Sequence, residues 1–349
     1  MEQIIEEIPP VQLRVIRLTT FKGQCVHCGE VRSTHPLQVS KAVGAAGVQL
    51  GPNALSILLQ LQYRWHLSKR KSCELVKQLF GLSITPGGLV SATHRLAKQL
   101  DKNYQALQEQ ARSAAVVHSD ETGWYVGSPG YTLWVFTNQQ LTFYRVVAAR
   151  TRAELQHTLG KDFSGVLVSD CLSIYDEATP IQHKCYSHHL KAISKAIQQH
   201  PQGESDFLRE VKMLLKTAMI IKKLKKETEP EVYQQWCNNL EKRADALLLT
   251  EPRGQPQEEA VRHRLSKQRD HLFTFLYYDD VDATNNLAER QLRPAVMARK
   301  ISCGNRTARG AQTWEIIASL AATCAQTHQS LADLIIEALA LDPTPKLTR

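Results

Sequence analysis

Residues Gly165–Asp170 read Gly-Val-Leu-Val-Ser-Asp, a short apolar run that ends in an acidic side chain. An uninterrupted apolar run of this length predicts a strand that is buried on both faces of a sheet. Open α/β sheets carry their functional groups at the carboxyl ends of such strands, which makes Asp170 a candidate catalytic residue. An aspartate in this position more commonly caps the segment that follows it, and the run by itself favours the cap.

The segments on either side of this run complete a sheet. Strands are predicted over residues 115–126, 131–137, 142–148, 165–169 and 183–186, and helices over residues 152–159 and 187–199. Three consecutive hairpin-linked strands, a helix and a buried strand form an order that suits an RNase H-like sheet. The right-handed crossover rule predicts that the third and fourth strands are parallel to each other.

The string His118–Trp124 lies in the first of these strands, and both faces of that strand have a buried pattern. A carboxylate in such a strand is costly unless a cation or hydrogen bonds compensate it. Successive strand residues face opposite sides, so Asp120 and Glu121 cannot both point into one site. His118 shares the face of Asp120.

A third acidic residue, Glu289, lies in a basic stretch. The residues around it that carry positive charge are Arg290, Arg293, Arg299, Lys300, Arg306 and Arg309. On a helix, Asn285, Asn286, Glu289 and Arg293 would share one face. A lone carboxylate in such surroundings is more commonly an ion-pair partner, but it can also bind a metal ion beside a phosphate-binding surface.

Three separated carboxylates suit one chemistry in particular. Cleavage of a phosphodiester requires stabilisation of a negatively charged transition state, and two metal ions about 4 Å apart can provide it. Mg²⁺, or Mn²⁺ in its place, prefers carboxylate oxygens. Asp120, Asp170 and Glu289 are therefore candidate ligands of such a pair.

The region upstream of the sheet is predicted to be helical. Pro52 can open a first helix, a second over residues 69–80 ends at Gly81, and Thr85 with Pro86 can open a third. Two helices, a short turn and a third helix form a helix-turn-helix pattern, although any helical hairpin would look similar. Arg95 and Lys98 on the third helix are the candidate DNA contacts.

The charge of the chain agrees with a polyanionic partner. The chain has 349 residues with a formal net charge of +9, which favours nucleic acid, although a basic enzyme without such a partner is an alternative. The length suggests two or three domains. We find no apolar signal segment and no run long enough to span a bilayer, so we expect a cytoplasmic protein with reduced thiols and no membrane partner.

Two cysteine-containing strings invite a metal-site interpretation. Cys25 and Cys28 have the spacing of a zinc knuckle, but a structural zinc site needs four ligands. His27 or His35 would have to complete it, so Zn²⁺ binding there is uncertain. Cys185 and His188 have a spacing that suits a soft ion, yet no second pair lies close to them in sequence.

Four strings in this order resemble the IS66-type transposases of bacterial insertion sequences, which belong to the Asp-Asp-Glu group with an RNase H-like fold. They are HSDETGW at residues 118–124, FSGVLVSD at 163–170, CYSHHLK at 185–191 and NNLAERQLRPAVMARK at 285–300, followed by Gly304 and Arg309-Gly310. The resemblance extends over about residues 20–335.

The resemblance implies specific roles. Asp120, Asp170 and Glu289 would be catalytic, with Asp120 preferred over Glu121, and the cysteine–histidine string would be a structural or substrate-contacting segment near the active site. The family pattern has a cysteine pair upstream of Cys25 that this sequence lacks, so we expect only part of a zinc site. Phosphate contacts would come from Lys222, Lys223, Arg290, Arg293, Arg299 and Lys300.

We therefore expect a multidomain α+β protein. Its segments would be a partial zinc-ribbon-like segment (1–50), a helix-turn-helix-like region (51–112), an RNase H-like mixed-sheet core (113–335) with a helical insertion at about 200–280, and a C-terminal tail (336–349). The expected activity is cleavage and strand transfer at the ends of an element in double-stranded DNA, by a homo-oligomer that accessory element-encoded proteins can assist. The alternatives are a nuclease on the same fold and an inactive, truncated DNA-binding remnant.

Overall fold

The computed structural model describes residues 3–9, 11–33, 35, 38, 49–200, 205–249 and 255–339. The strands in this part of the chain are β1 (Lys22–Cys25), β2 (Gly29–Arg32), β3 (Val116–Val126), β4 (Ser128–Thr137), β5 (Thr142–Val147), β6 (Val166–Ser169) and β7 (Gln182–Lys184). The first helices are α1 (Pro52–Tyr63), α2 (Lys69–Phe80), α3 (Pro86–Gln99), α4 (Asp101–Arg112), α5 (Arg152–Leu159), α6 (Tyr186–Gln199) and α7 (Asp206–Leu224). The remaining ones are α8 (Pro230–Leu249), α9 (Pro256–Lys267), α10 (Arg269–Leu272), α11 (Thr274–Tyr277), α12 (Asn286–Ser302), α13 (Ala308–Gln326) and α14 (Leu331–Leu339).

A five-stranded sheet with the order β5-β4-β3-β6-β7 forms the framework of the site. All five predicted strands are present, with ends shifted by one to three residues. The third and fourth predicted strands, β5 and β6, belong to one sheet but are not neighbours in it: β6 pairs in parallel with β3, and β7 pairs in parallel with β6. β5 lies at the edge of the sheet, where it pairs antiparallel with β4.

The residues divide into two compact units: Met1–Gln105, Tyr125–Ser128 and Pro294–Arg349 form the first, and Ala106–Trp124 and Pro129–Arg293 form the second. The second unit contains the helical insertion, which shares an apolar core with the sheet. Val116, Val166 and Val168 of the strands belong to one buried cluster with helical side chains. Those contributed by α6, α7, α8 and α9 include Ile193, Leu215, Leu240 and Leu265. The insertion is therefore part of the hydrophobic core of this unit.

The first unit is largely helical. In it α1 and α3 pack against α2, α13 and α14. Residues 294–335, which the sequence placed with the sheet, belong to this unit because the apolar faces of α13 and α14 pack on α1 and α3. Of the predicted tail, residues 336–339 are the end of α14 and residues 340–349 lie outside the described residues.

The predicted ends of the upstream helices are confirmed. α2 ends at Gly81, whose φ of 69° is in the left-handed region that glycine adopts without strain. Thr85 caps α3 by accepting a hydrogen bond from the amide of Gly88 at 3.1 Å, and Pro86 is the first residue of that helix. On the same helix, the Nδ1 atom of His94 lies 2.6 Å from the hydroxyl oxygen of Thr313 in α13.

The two N-terminal cysteines lie in a small hairpin. β1 and β2 pair antiparallel, with Cys25 opposite Gly29, and both Cys25 and Cys28 are free thiols. Backbone hydrogen bonds from His27 and Cys28 lower the pKa of the Cys25 thiol. A zinc-ribbon-like role for this hairpin stays a prediction. Among the described helices, none has the length and apolar composition that a bilayer-spanning helix requires.

Gly165 offers a test of how tightly β6 is packed against the start of β3. The amide of Val166 donates to the carbonyl of Ala115 at 2.8 Å, and a Cβ atom on Gly165 would lie 2.3 Å from the carbonyl oxygen of Ala114. Gly165→Ala should therefore lower the free energy of unfolding by about 1–3 kcal/mol, as overpacking does elsewhere. The measurement is urea unfolding followed by circular dichroism. Gly87→Ala is the control, because a Cβ atom there meets nothing within 4 Å, and equal effects of the two substitutions would contradict the packing argument.

Candidate active site

Asp120 within β3 and Asp170 directly after β6 lie at the same level of two neighbouring strands. β3 and β6 pair in parallel register with His118 opposite Val168. Each aspartate lies two residues beyond this pair, so the register places the two at the same level along the sheet. The parallel pairing brings together two carboxylates that are fifty residues apart in sequence.

Asp120 lies in an environment that disfavours its negative charge. Its Oδ1 atom accepts a hydrogen bond from the amide of Glu121 at 2.8 Å. Burial, together with the charges of Glu121, Asp170 and Glu289, raises the pKa of Asp120 to about 7, and the hydrogen bond from the Glu121 amide opposes that shift. The three carboxylates predicted from the sequence therefore act on one another electrostatically.

Two partners bind the carboxylate of Glu121, which makes it less available as a metal ligand. Its carboxylate pairs with the guanidinium of Arg150 and accepts a hydrogen bond from the hydroxyl of Tyr175. Burial raises the pKa of Glu121, and these two partners oppose that shift. The prediction that Asp120 and Glu121 serve different environments thus agrees with their observed partners.

Asp170 makes a local turn contact instead of the helix cap that the sequence left open as an alternative: the 3₁₀ helix that follows, Ser173–Tyr175, has Leu172 as its N-cap residue and no side-chain cap hydrogen bond. The Oδ1 atom of Asp170 accepts a hydrogen bond from the amide of Leu172 at 2.9 Å. A carboxylate has two oxygens and several acceptor positions, so this local turn is compatible with binding a cation.

Asn285 joins the strand that carries Asp120 to the helix that carries Glu289. It is buried and directly precedes α12, and its side-chain amide donates to the carbonyl of Ser119 at 2.8 Å. Its Oδ1 atom lies 3.2 Å from the Nδ1 atom of His118, and its own carbonyl accepts from the amide of Glu289 at 3.2 Å. The sequence placed Asn285 on a helical face and did not identify this linking role.

Cys185 and His188 lie next to Glu289. Cys185 follows β7, and its sulfur accepts a hydrogen bond from the amide of Asn285 at 3.1 Å. The potential ligand atoms of Cys185, His188 and Glu289 all lie within 4.8 Å of one another, a grouping found once among the described residues. The missing partner of the cysteine–histidine pair is thus supplied from a hundred residues away, where sequence spacing could not reveal it.

A buried lysine at this end of the sheet was also missed. Lys184 is fully buried, donates to the hydroxyl of Ser169 at 3.2 Å and stands 5.5 Å from the centre of the Tyr175 ring. Burial lowers the pKa of Lys184 to about 8, while neighbouring acidic groups, Asp170 among them, oppose the shift. The only signal in the sequence is a charged residue within a strand pattern.

The helical insertion contributes a second cation. Arg264 on α9 lies beside Cys171, the residue after Asp170, where its charge and hydrogen bond oppose the rise that burial causes in the pKa of that thiol. The sulfur of Cys171 is also 3.5 Å from the Nε2 atom of His189. Residues of the insertion therefore reach the segment that follows β6.

The predicted DNA-contacting residues have different surroundings. Lys222 donates to the carbonyls of Phe275 and Tyr278 at 2.7 and 2.6 Å, which commits two of its three N–H groups to packing. Lys223, Arg290 and Arg293 are exposed on the second unit. On the first unit Arg95, Lys98 and Lys300 are exposed and Arg299 is half-buried.

The carboxylates fit a divalent cation of the magnesium class. They offer oxygen ligands only, and their mutual repulsion on Asp120 is the electrostatic condition that a cation relieves. Asp120 and Asp170 are not members of the tight group around Cys185. Two ions about 4 Å apart can be bound by carboxylates that lie further from one another than the ligands of a single ion do.

One comparison with known proteins finds a family. A sequence model of the family described as "Transposase IS66 family" matches residues 47–313. No curated protein matches the chain.

The linking role of Asn285 can be measured as stability. Asn285→Ala would leave the Ser119 carbonyl and the His118 ring nitrogen without their partner in a buried place, so the free energy of unfolding should fall by about 2–4 kcal/mol. Urea unfolding checks this value. Asn286→Ala is the matched control, because Asn286 is exposed. Equal losses for the two variants would show that the amide of Asn285 links nothing.

The raised pKa of Asp120 has a consequence for stability in buffer that contains a metal chelator. The folded protein holds this proton more tightly than the unfolded chain, so the contribution of Asp120 to stability is lost as the pH rises from about 4 to about 7. Asp120→Asn removes that loss. The free energy of unfolding of the variant minus that of the parent should therefore increase by on the order of 2–4 kcal/mol between about pH 4 and about pH 8.

Urea unfolding at the two pH values measures the difference, with Asp280→Asn as an exposed control. A gain that is the same at both pH values would mean that Asp120 is not electrostatically strained.

Proposed function

The chain belongs to the Transposase IS66 family, and from that premise we propose that it is a DNA transposase that cuts the ends of an insertion element and joins them to target DNA with the help of bound Mg²⁺ or Mn²⁺. The observation that carries the proposal is the parallel register of β3 and β6, which places Asp120 and Asp170 at one level of the sheet, with Glu289 of α12 near enough for its charge to raise the pKa of Asp120. The sheet order β5-β4-β3-β6-β7, with β3, β6 and β7 parallel, supports an RNase H-like core.

In this proposal Asp120, Asp170 and Glu289 hold the cations. When bound, such ions supply positive charge to a phosphodiester transition state and make a coordinated water more acidic. Asn285 holds the helix of Glu289 against the strand of Asp120. Arg150 and Tyr175 bind the carboxylate of Glu121, which makes it less available as a metal ligand. The contribution of the protein is thus to fix three carboxylates at positions where their charges alone would drive them apart.

The reaction consists of two displacements at phosphorus. In the first, water attacks a phosphodiester at the element end, one P–O bond forms and another breaks, and a free 3′-hydroxyl leaves. In the second, that hydroxyl attacks a phosphodiester of the target: a new P–O bond forms, the bond to the 3′-oxygen of the target strand breaks, and this oxygen leaves as a free 3′-hydroxyl. The second displacement therefore keeps the number of phosphodiester bonds. A nuclease on the same fold would perform only the first, and joining of ends in vitro separates the two activities.

DNA would be held through its phosphates, since such contacts position a duplex without reading its sequence. On the second unit the exposed candidates are Lys223, Arg290 and Arg293, while Lys222 retains one N–H group for a phosphate. On the first unit they are Arg95 and Lys98 of the helix-turn-helix-like region, with Arg299 and Lys300. We further propose assembly as a homo-oligomer on DNA, with element-encoded accessory proteins as potential partners.

DNA binding and cleavage should be separable at Glu289. Glu289→Gln keeps the shape of the side chain and the arginines around it but removes an anionic ligand. The variant should bind DNA with the parental affinity, and its magnesium-dependent nicking should fall at least about a hundredfold, as when a single charge-stabilising group is removed from an active site.

The matched variant is Arg293→Ala, one helical turn further along α12 and exposed. It leaves the carboxylates intact and removes one phosphate contact, so binding should weaken and the slope of log affinity against log salt should drop by roughly one unit. A salt titration of binding beside the nicking assay measures both. Nicking by Glu289→Gln at the parental rate would make Glu289 an ion-pair partner of its neighbours, and the third carboxylate would be sought among Asp279, Asp280 and Asp282.

A further inference from the structure

The group formed by Cys185, His188 and Glu289 has a chemistry that differs from that of the two aspartates. The ligand atoms are a sulfur, an imidazole nitrogen and a carboxylate oxygen, all within 4.8 Å of one another. Cys185 is buried, and the other two residues are half-buried. Mg²⁺ binds oxygen ligands, whereas thiolate and imidazole ligands favour Zn²⁺ and related ions.

The sulfur of Cys185 is surrounded by hydrogen-bond donors. The amide of Asn285 donates to it at 3.1 Å, and the side chain of His188 lies within hydrogen-bonding reach of it. Donors of this kind stabilise a thiolate, which is the form of cysteine that binds metal ions. The backbone therefore prepares this side chain as a ligand before any ion is present.

His188 provides an independent indication. Its Nδ1 atom is buried and has no hydrogen-bond partner among the described residues. A buried polar atom without a partner costs free energy, which a cation at this place would relieve. A simple thiol–imidazole hydrogen bond between Cys185 and His188 is the competing explanation for their contact, and it requires neither Glu289 nor an ion.

We propose that Cys185, His188 and Glu289 form a binding site for a Zn²⁺-class ion. Three protein ligands leave a fourth tetrahedral position for water or for an oxygen of a bound molecule, as in zinc sites that act on substrates. The two oxygens of the Glu289 carboxylate allow this residue to serve the new site and the magnesium-class site of the aspartates together. The inference goes beyond the proposed function and does not require that the chain cuts DNA.

Cobalt is the probe, because a thiolate bound to Co²⁺ gives a charge-transfer absorption band in the near ultraviolet. The experiment uses the full chain with Cys25→Ser and Cys28→Ser, so that the N-terminal hairpin cannot contribute a thiolate. The titration is run in excess Mg²⁺, which competes for the oxygen ligands of the aspartates. We expect a charge-transfer band that saturates at about one thiolate-bound Co²⁺ per chain and that Zn²⁺ removes but Mg²⁺ does not.

Single substitutions in this background identify the ligands. Cys185→Ser should abolish the band. His188→Asn and Glu289→Gln should retain a thiolate band but weaken cobalt binding by more than the roughly tenfold to hundredfold that loss of a supporting contact costs. Asp280→Asn is the carboxylate control, because Asp280 is exposed, and it should leave the band and the affinity unchanged.

The absence of a band from the folded background chain would overturn the proposal, as would a band that persists after Cys185→Ser or an affinity that His188→Asn leaves unchanged. Circular dichroism before the titration establishes folding, and the half-buried His188 provides a readout if the buried Cys185→Ser variant does not fold. The nicking assay is scored separately. A chain that binds cobalt as described but does not cut DNA contradicts the proposed function and leaves this site standing.

Discussion

The parallel pairing of β3 with β6 is the constraint on which the candidate site depends. It places Asp120 and Asp170 at one level of the sheet, although fifty residues separate them. β7 continues the same parallel arrangement, with Ser169 opposite Lys184, so Cys185 follows at that level too. Three neighbouring parallel strands thus present Asp120, Asp170 and Cys185 at one level of the sheet. A shift of one residue in either register would turn alternate side chains to the other face.

This register has an electrostatic consequence. Asp120 is partly buried, and three other carboxylates raise its pKa further. The fold distributes cations around the edge of this region instead of neutralising Asp120 itself: Arg150 pairs with Glu121, and Lys184 is buried against Ser169. Ionisation of Asp120 is therefore opposed by its surroundings and has no cationic side chain to favour it among the causes of its pKa shift. A buried carboxylate that lies beside other carboxylates is a common feature of functional sites.

The helix that carries Glu289 depends on contacts made before the helix begins. Asn285 binds the backbone of β3 through its side chain and the sulfur of Cys185 through its amide. One residue therefore fixes α12 against two strand ends. The helical insertion lengthens the path between β7 and α12, yet it buries its apolar side chains in the same cluster as Val166 and Val168. Ordering these additional residues costs conformational entropy, and the burial of their apolar side chains offsets that cost.

The sequence by itself predicted most of the helices and strands and the three candidate carboxylates in their local setting. The apolar run before Asp170 predicted β6, Gly81 and Thr85 predicted helix ends, and the four family strings identified the carboxylates, because these signals are local and survive without knowledge of neighbours. Only the tertiary structure decided which strands pair, that Asn285 is a buried link, and that Glu289 joins Cys185 and His188. The physical reason is that these features arise between segments a hundred residues or more apart, or between strand edges that the pattern of one strand does not distinguish. Periodicity reports which face of an element is buried, and only packing determines what lies against that face.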